Sequence, residues 1–171
     1  MKTLVNLGRF GLALLLVVSL AACGFHLRGA VDLPPVMAVT YIENNGVDAE
    51  LVKRLRRSLQ ANKMVVTTDR TEATAVLRLL NDRYDRRILS VARGNRVSEY
   101  ELHYSIRFEL AEVGGGQLIA PKNIQLFRDY TYDQDEVLGK ENEEKNIRKD
   151  MIREAASRVL RTIQVALSNS N

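Results

Sequence analysis

Cysteine, histidine and tryptophan are scarce in this chain of 171 residues, which has one cysteine, two histidines and no tryptophan. With a single cysteine no disulfide can form within the chain, so packing has to stabilise the fold. The HExxH, CxxC, GxSxG and phosphate-loop patterns are also absent from the sequence. The sequence therefore predicts no metal site, no cofactor and no enzymatic activity.

Neither histidine has the neighbours that a catalytic base needs. His26 lies three residues after the only cysteine, and His103 lies on the polar side of a regularly alternating segment. Glu99 and Glu101 lie on that same side, where paired acids are solvated rather than held in an apolar pocket. A lipid-anchored hydrolase is therefore an alternative that no catalytic pattern supports.

The chain has one long apolar segment, close to the N-terminus. Lys2 and Arg9 supply positive charge ahead of the apolar residues 11–22, and Leu20-Ala21-Ala22-Cys23 follows the pattern of a bacterial lipoprotein cleavage site. This arrangement predicts that residues 1–22 are a signal peptide that is removed. Cys23 then becomes the lipid attachment site.

The alternative for this segment is a transmembrane helix, which needs about 20 apolar residues. Leu12–Ala22 is too short for that. Gly24, rather than Asp, follows Cys23, which favours sorting to the outer membrane over retention at the inner one. We therefore expect an outer-membrane protein, lipid-anchored on the periplasmic side by two or more acyl chains.

Composition divides the chain into four segments. Residues 1–22 are the predicted signal peptide, and residues 23–35 are a lipid-anchored connector that ends in two prolines. Residues 36–168 form one domain, large enough to bury a core. Residues 169–171 are a polar tail.

Hydrophobic periodicity sets the predicted fold. Val47–Asn62 and Glu141–Leu167 have the apolar stripes of amphipathic helices, with a loop at Asp135–Lys140 before the second. Val97–Leu110 is the clearest strand, because from Glu99 to Leu110 polar and apolar residues alternate without exception, as in a strand with one buried face. Further strands are predicted at Val36–Glu43, at Ala73–Ala92 with a bulge near Asp85, and at Asn123–Asp133, with a short one at Met64–Thr67.

These elements predict an α+β two-layer sandwich. Its sheet is four-stranded and mostly antiparallel, and both helices lie on one face in the order β-α-β-β-β-α. Gly94-Asn95 is the turn signal between the second and third of the larger strands.

Basic residues cluster around this turn. Five arginines fall within fourteen residues: Arg83, Arg86, Arg87, Arg93 and Arg96. Arginine forks match the geometry of phosphates and carboxylates, which indicates an anion site. A solvated charge run, in which Asp82 and Asp85 are the partners, explains the cluster equally well. Both interpretations stay open.

The net charge gives little support for a nucleic-acid partner. It is +4 for the whole chain and falls to +2 when Lys2 and Arg9 leave with the signal peptide, because no acid leaves with them. In the outer membrane the abundant polyanion is lipopolysaccharide (LPS), whose lipid A carries phosphates. We expect no nucleic-acid partner.

Three short stretches resemble the LPS-assembly lipoprotein LptE family. They are Cys23-Gly24-Phe25-His26-Leu27-Arg28-Gly29, then Arg93-Gly94-Asn95 with Glu99-Tyr100, and finally Leu138-Gly139-Lys140-Glu141-Asn142-Glu143-Glu144. Their order after a lipoprotein cleavage site makes the combination specific. The resemblance covers nearly the whole chain after the signal peptide.

The resemblance implies a fold and a function. LptE proteins have two helices on a four-stranded sheet and form a plug in the outer-membrane β-barrel LptD, with which they bind LPS and place it in the outer leaflet. The basic residues that the family uses for LPS fall on Arg93 and Lys140. Clustering adds Arg96, Arg86 and Arg87 to the predicted LPS site. The main alternative is a lipid-binding accessory lipoprotein of another envelope transport system, which would need an apolar cavity.

Overall fold

The structure is a computed structural model that describes residues 33–94, 96–132 and 137–169. The predicted signal peptide, Cys23, most of the connector and Asn95 lie outside the described residues. The described elements are, in chain order, β1 (Val39–Asn44), α1 (Ala49–Ala61), β2 (Val65–Thr67), β3 (Ala75–Ala92), β4 (Arg96–Glu112), β5 (Gln117–Thr131) and α2 (Val137–Ser168).

The sheet has five strands in the order β2-β1-β3-β4-β5, so the prediction of four strands is wrong. β1 runs parallel to both β2 and β3, whereas β4 is antiparallel to both β3 and β5. The sheet is therefore mixed, and the prediction of a mostly antiparallel sheet is wrong as well. The strand missing from the predicted sheet, β2, is three residues long and confirms the short strand predicted at Met64–Thr67. Its position follows from α1, because a helical crossover returns the chain parallel to the strand it left.

Both helices cover the same face of the sheet, as predicted. Leu51, Leu55 and Leu59 of α1 are fully buried, as is Met151 of α2. They belong to one hydrophobic core with the buried side of β4. Asp48 caps α1 by accepting a hydrogen bond from the backbone N–H of Glu50 at 2.8 Å.

β4 confirms the alternation that the sequence predicts. Leu102, Tyr104, Ile106, Phe108 and Leu110 are buried on the helix-facing side. The residues between them lie on the opposite side, which no helix covers among the described residues. The sheet therefore has one buried face and one open face.

The predicted bulge near Asp85 is wrong. The pairing of β3 with β4 is regular from Asn81 to Ile88 and shifts between Leu79 and Asn81, and again at Leu89. The shift at Leu80 moves the following residues by one position, and a shift of one position exchanges the two faces. Asp82, Tyr84 and Arg86 consequently lie on the helix-facing side.

The β3–β4 hairpin extends beyond its neighbours. β1 pairs with β3 only as far as Leu79, and β5 pairs with β4 only as far as Glu99. We call residues 81–107 the arm and residues 90–98, where only two strands remain, its tip. The arm is the part of the fold that carries the predicted basic cluster.

Several element boundaries differ from the prediction, and β5 begins at Gln117 rather than at Asn123. Pro35–Met37 form a 3-10 turn rather than the start of a strand, and Met37 is fully buried. Residues 137–140, predicted as a loop, are the first turn of α2. Within the described residues, no helix is both long and apolar enough to cross a membrane.

Candidate functional site

Tyrosines line the helix-facing side of the arm near the start of α2. The rings of Tyr100 and Tyr130 stack with centroids 6.4 Å apart, and Tyr132 meets the Tyr100 ring edge-on at 5.2 Å. Strand alternation explains this layer, because Tyr100 and Tyr130 are directly paired across β4 and β5. Tyr130 and Tyr132 also meet edge-on at 6.3 Å, so the three rings form one layer.

Two of the predicted LPS-binding cations lie on these rings. The guanidinium of Arg86 is 4.4 Å from the Tyr100 ring centroid, and Lys140 Nζ is 5.8 Å from that of Tyr130. The Tyr130 hydroxyl also donates a hydrogen bond to the carbonyl oxygen of Lys140 at 2.6 Å. The tyrosine layer therefore brings Arg86 and Lys140 to the same part of the molecule.

Both cations already form ion pairs with carboxylates of α2. Arg86 Nη1 lies 2.7 Å from Glu144 Oε2, and Lys140 Nζ lies 3.0 Å from Glu143 Oε2. Glu144 also accepts a hydrogen bond from the Tyr84 hydroxyl at 2.8 Å. Burial, followed by this hydrogen bond, raises the pKa of Tyr84 above its ordinary value. An external anion at Arg86 or Lys140 would have to compete with an internal one.

A second polar cluster connects the start of the arm, at Asp82, with both helices. The Tyr104 hydroxyl donates to Asp82 Oδ2 at 2.8 Å, and that same oxygen accepts the backbone N–H of Asp48 at 3.2 Å. Arg148 pairs with Asp48 at 2.8 Å and lies over the Tyr84 ring. Sequence reasoning assigned Asp82 to an arginine, whereas its described hydrogen bonds come from Tyr104 and Asp48.

Arg87 lies on the opposite face from Arg86. It and Arg83 both pair with Asp85 on the open face, each at 3.1 Å. Partial burial raises the pKa of the Asp85 carboxyl, but the Arg87 hydrogen bond and the charges of both arginines outweigh it and hold this pKa below its usual value. For Arg83 and Arg87 the arrangement matches a solvated charge run with Asp85 as the partner.

Arg93 and Arg96 lie at the tip and are exposed. Gly94 provides the turn between them with a φ of +83°, a conformation that glycine adopts readily. Neither arginine forms an ion pair with any other residue in the described part of the chain. Arg93 is five residues beyond Ile88, which pairs with Tyr100, and this spacing corresponds to about 15 Å of strand.

The predicted site is therefore divided. Arg86 and Lys140 come together, Arg87 lies on the other face, and Arg93 and Arg96 lie farther out at the tip. The lipid attachment site Cys23 lies outside the described residues. Sequence reasoning missed Glu144 and Tyr84, although Glu144 follows Lys140 at the i,i+4 spacing of helical neighbours.

A family model described as LptE: Lipopolysaccharide-assembly matches residues 35–163. The chain belongs to the LptE family. The match spans every described strand and most of α2, so it covers the arm, its tip and the paired cations together. The resemblance that the short motifs indicate is thus confirmed.

Relatives of this LptE-family chain are similar along most of its length. The LPS-assembly lipoprotein LptE of Pectobacterium atrosepticum is 25% identical over 154 residues, covering 90% of this chain and 81% of that protein. The protein of the same name from Yersinia enterocolitica is 27% identical over 157 residues, covering 91% of this chain and 73% of its own length.

Solved structures share the fold. Lipoprotein B from Nitrosomonas europaea is 27% identical with a TM-score of 0.72, over 85% of this chain and 93% of that one. The rare lipoprotein B from Shewanella oneidensis is 30% identical with a TM-score of 0.66, over 77% of this chain and 97% of that one. The α+β architecture of the LptE-family domain therefore recurs in these lipoproteins.

Proposed function

We propose that this LptE-family protein binds LPS through the tip and the start of α2, and helps to insert it into the outer leaflet of the outer membrane. The observation that carries the proposal is the pair of exposed arginines at the tip, Arg93 and Arg96. In the described residues both lack an acidic partner, whereas the nearby Arg86, Arg87 and Lys140 each have one.

Arginine is suited to this task because its guanidinium can donate two parallel hydrogen bonds to one phosphate. The tip would bind a lipid A phosphate first, because among the described residues Arg93 and Arg96 have no ion pair with a carboxylate to break. Arg86 and Lys140 would engage later by exchanging Glu144 and Glu143 for phosphate oxygens. Arg87 would join the proposed site after its ion pair with Asp85 breaks.

The second part of the proposal is a plug complex with the β-barrel LptD. An open, polar sheet face suits a water-filled lumen, because the interior of such barrels is polar. Strand edges that invite aggregation in water would be covered by the barrel wall. Acylation of Cys23 after removal of residues 1–22 would anchor the protein on the periplasmic side of the outer membrane.

The LPS part is tested with the full-length acylated protein in detergent, by measuring equilibrium binding of solubilised LPS. We expect Arg93→Asp combined with Arg96→Asp to weaken binding at least tenfold, because two attractive contacts become repulsive. The matched control is Lys53→Asp with Arg57→Asp, two exposed cations on α1 that make the same change in net charge. Unchanged LPS binding in the tip variant, with an intact fold, refutes the role of the tip.

The complex is tested by extracting the wild-type protein from outer membranes with detergent. Recovery of a stoichiometric large β-barrel supports the plug. Recovery of the lipoprotein with other envelope transport components and without a barrel favours the alternative, a lipid-binding accessory lipoprotein.

A further inference from the structure

We infer that the arm contains an acyl-chain subsite, formed by Ile88, Leu89 and Val91, beside the arginines of the tip. This inference rests on the proposed function in one respect, because it takes the anionic ligand to be an amphiphile such as LPS. It adds an apolar binding element to the cationic one formed by the arginines. The ligand would be recognised by its acyl chains and by its phosphates together.

These three side chains, which we call the apolar collar, are unusually exposed. Ile88 is 59% exposed, Leu89 48% and Val91 52%. The other large apolar residues that are exposed in the described part of the chain are Val65, Phe127 and Val165, each on a different element. Single exposed apolar residues are normal, whereas contiguous apolar patches mark contact surfaces, so three exposed apolar side chains within four positions are a candidate for one.

The fold explains why the collar remains uncovered. The pairing of β3 with β4 shifts between Ile88 and Ser90 and again between Ser90 and Val91. Such bulges turn side chains out of the regular alternation, so a single packing layer cannot cover them. β5 ends at Thr131, opposite Glu99, so it adds no third strand level with Val91, whereas Ile88 still lies level with Tyr130 of β5.

The charges around the collar favour an anionic lipid as its occupant. Arg93 and Arg96 follow the collar and are exposed, whereas Arg87, which precedes it, pairs with Asp85. Glu99 is the acid beside the collar, and it accepts a hydrogen bond from the Ser90 hydroxyl at 2.9 Å. Acyl chains joined to a phosphorylated headgroup present the complementary pattern, with apolar and anionic parts a short distance apart. The aliphatic stems of the arginines can lie along acyl chains while their guanidinium groups reach the phosphates.

The test compares two ligands with the same phosphates. One is detergent-solubilised LPS, and the other is the same LPS after alkaline removal of its acyl chains. The variant Ile88→Thr with Val91→Thr keeps β-branched side chains and removes apolar surface. The matched control is Val65→Thr with Val165→Thr, which alters two similarly exposed valines on β2 and α2.

We expect the collar variant to bind intact LPS about tenfold more weakly than wild type and to bind the deacylated ligand equally well. The control should match wild type with both ligands, and thermal unfolding should confirm that each variant is folded. Arg93→Asp with Arg96→Asp should weaken binding of both ligands, so the two parts of the site are separable.

Three results would overturn the inference. The first is equal binding of intact LPS by the collar variant and wild type. The second is an equal loss for intact and deacylated LPS, which would assign the collar a structural role. The third is unchanged LPS binding with loss of the co-purifying barrel, which would make the collar a protein contact. Failure of wild type to bind LPS at all would instead refute the proposed function.

Discussion

Replacing Glu144 with glutamine should loosen the start of α2 and at the same time free Arg86 for an anionic ligand. In the folded protein the carboxylate accepts hydrogen bonds from Tyr84 and Arg86 at 2.8 and 2.7 Å. Glutamine retains an acceptor for the Tyr84 hydroxyl and loses the negative charge. The substitution therefore tests the charge while it keeps the shape.

The expected loss of stability has two parts. The side chains of Arg86 and Glu144 are 43% and 20% exposed, so their ion pair contributes only about 0.5 kcal/mol. In the variant the Tyr84 hydroxyl donates to a neutral instead of a charged acceptor, which lowers the contribution of this hydrogen bond to stability by about 1 kcal/mol. Together these reduce the free energy of unfolding by about 1.5 kcal/mol, or roughly 5 °C in Tm for a domain of this size.

The assay is urea unfolding of the variant and of Glu141→Gln, followed by LPS binding. Glu141 makes the same change in charge in the same helix, is exposed, and has no ion-pair partner among the described residues. We expect Glu144→Gln alone to lower the urea midpoint and to bind LPS several-fold more tightly. An unchanged urea midpoint, or a midpoint that falls equally in Glu141→Gln, would refute the structural role of Glu144. Weaker LPS binding by Glu144→Gln would refute the idea that Glu144 competes with LPS for Arg86.

Three further predictions concern stability. Burial raises the pKa values of Tyr84, Tyr104 and Tyr130, the last to about 12, whereas unfolded tyrosine titrates near 10. The unfolded state then loses protons first, so the free energy of unfolding should fall as pH rises from about 10 to 12, and Tyr130→Phe should reduce that slope in urea titrations. Met151→Ala should destabilise by about 2–5 kcal/mol in the same assay, because Met151 is fully buried; a smaller loss would mean that the core collapses around it. Gly94→Val should cost about 1–2 kcal/mol through its positive φ, and a neutral effect would contradict the turn geometry.

Long, regular patterns were predictable from the sequence. The alternation of β4 and the apolar stripes of the helices each repeat over several turns or residue pairs, so they indicate both the element and its buried face. The short strand β2 was also predictable, but its place in the sheet was not, because its pairing depends on α1 returning the chain beside β1.

The basic cluster shows a different limit. Arg86 and Arg87 are neighbours in sequence, and neighbouring residues of a strand point to opposite faces, so their separation could have been predicted. The sequence does not show which of the two arginines lies on the side of α2, because this depends on the shift in strand pairing at Leu80. The pairing of Arg86 with Glu144 joins residues 58 positions apart and follows only from the packing of α2 on the arm.

The length of β3 gives the arm a mechanical property. β3 has 18 residues, about 60 Å of strand, and runs from the core next to β1 to the tip without a break in the chain. A pull on the tip along the strands would load the ladder between β3 and β4 in shear, so many hydrogen bonds would share the force. A sideways push would instead bend the hairpin where its pairing is irregular, at Leu80 and between Ile88 and Val91. We therefore expect the arm to resist tension along its strands and to bend at these irregular positions, the outer of which lies within the apolar collar.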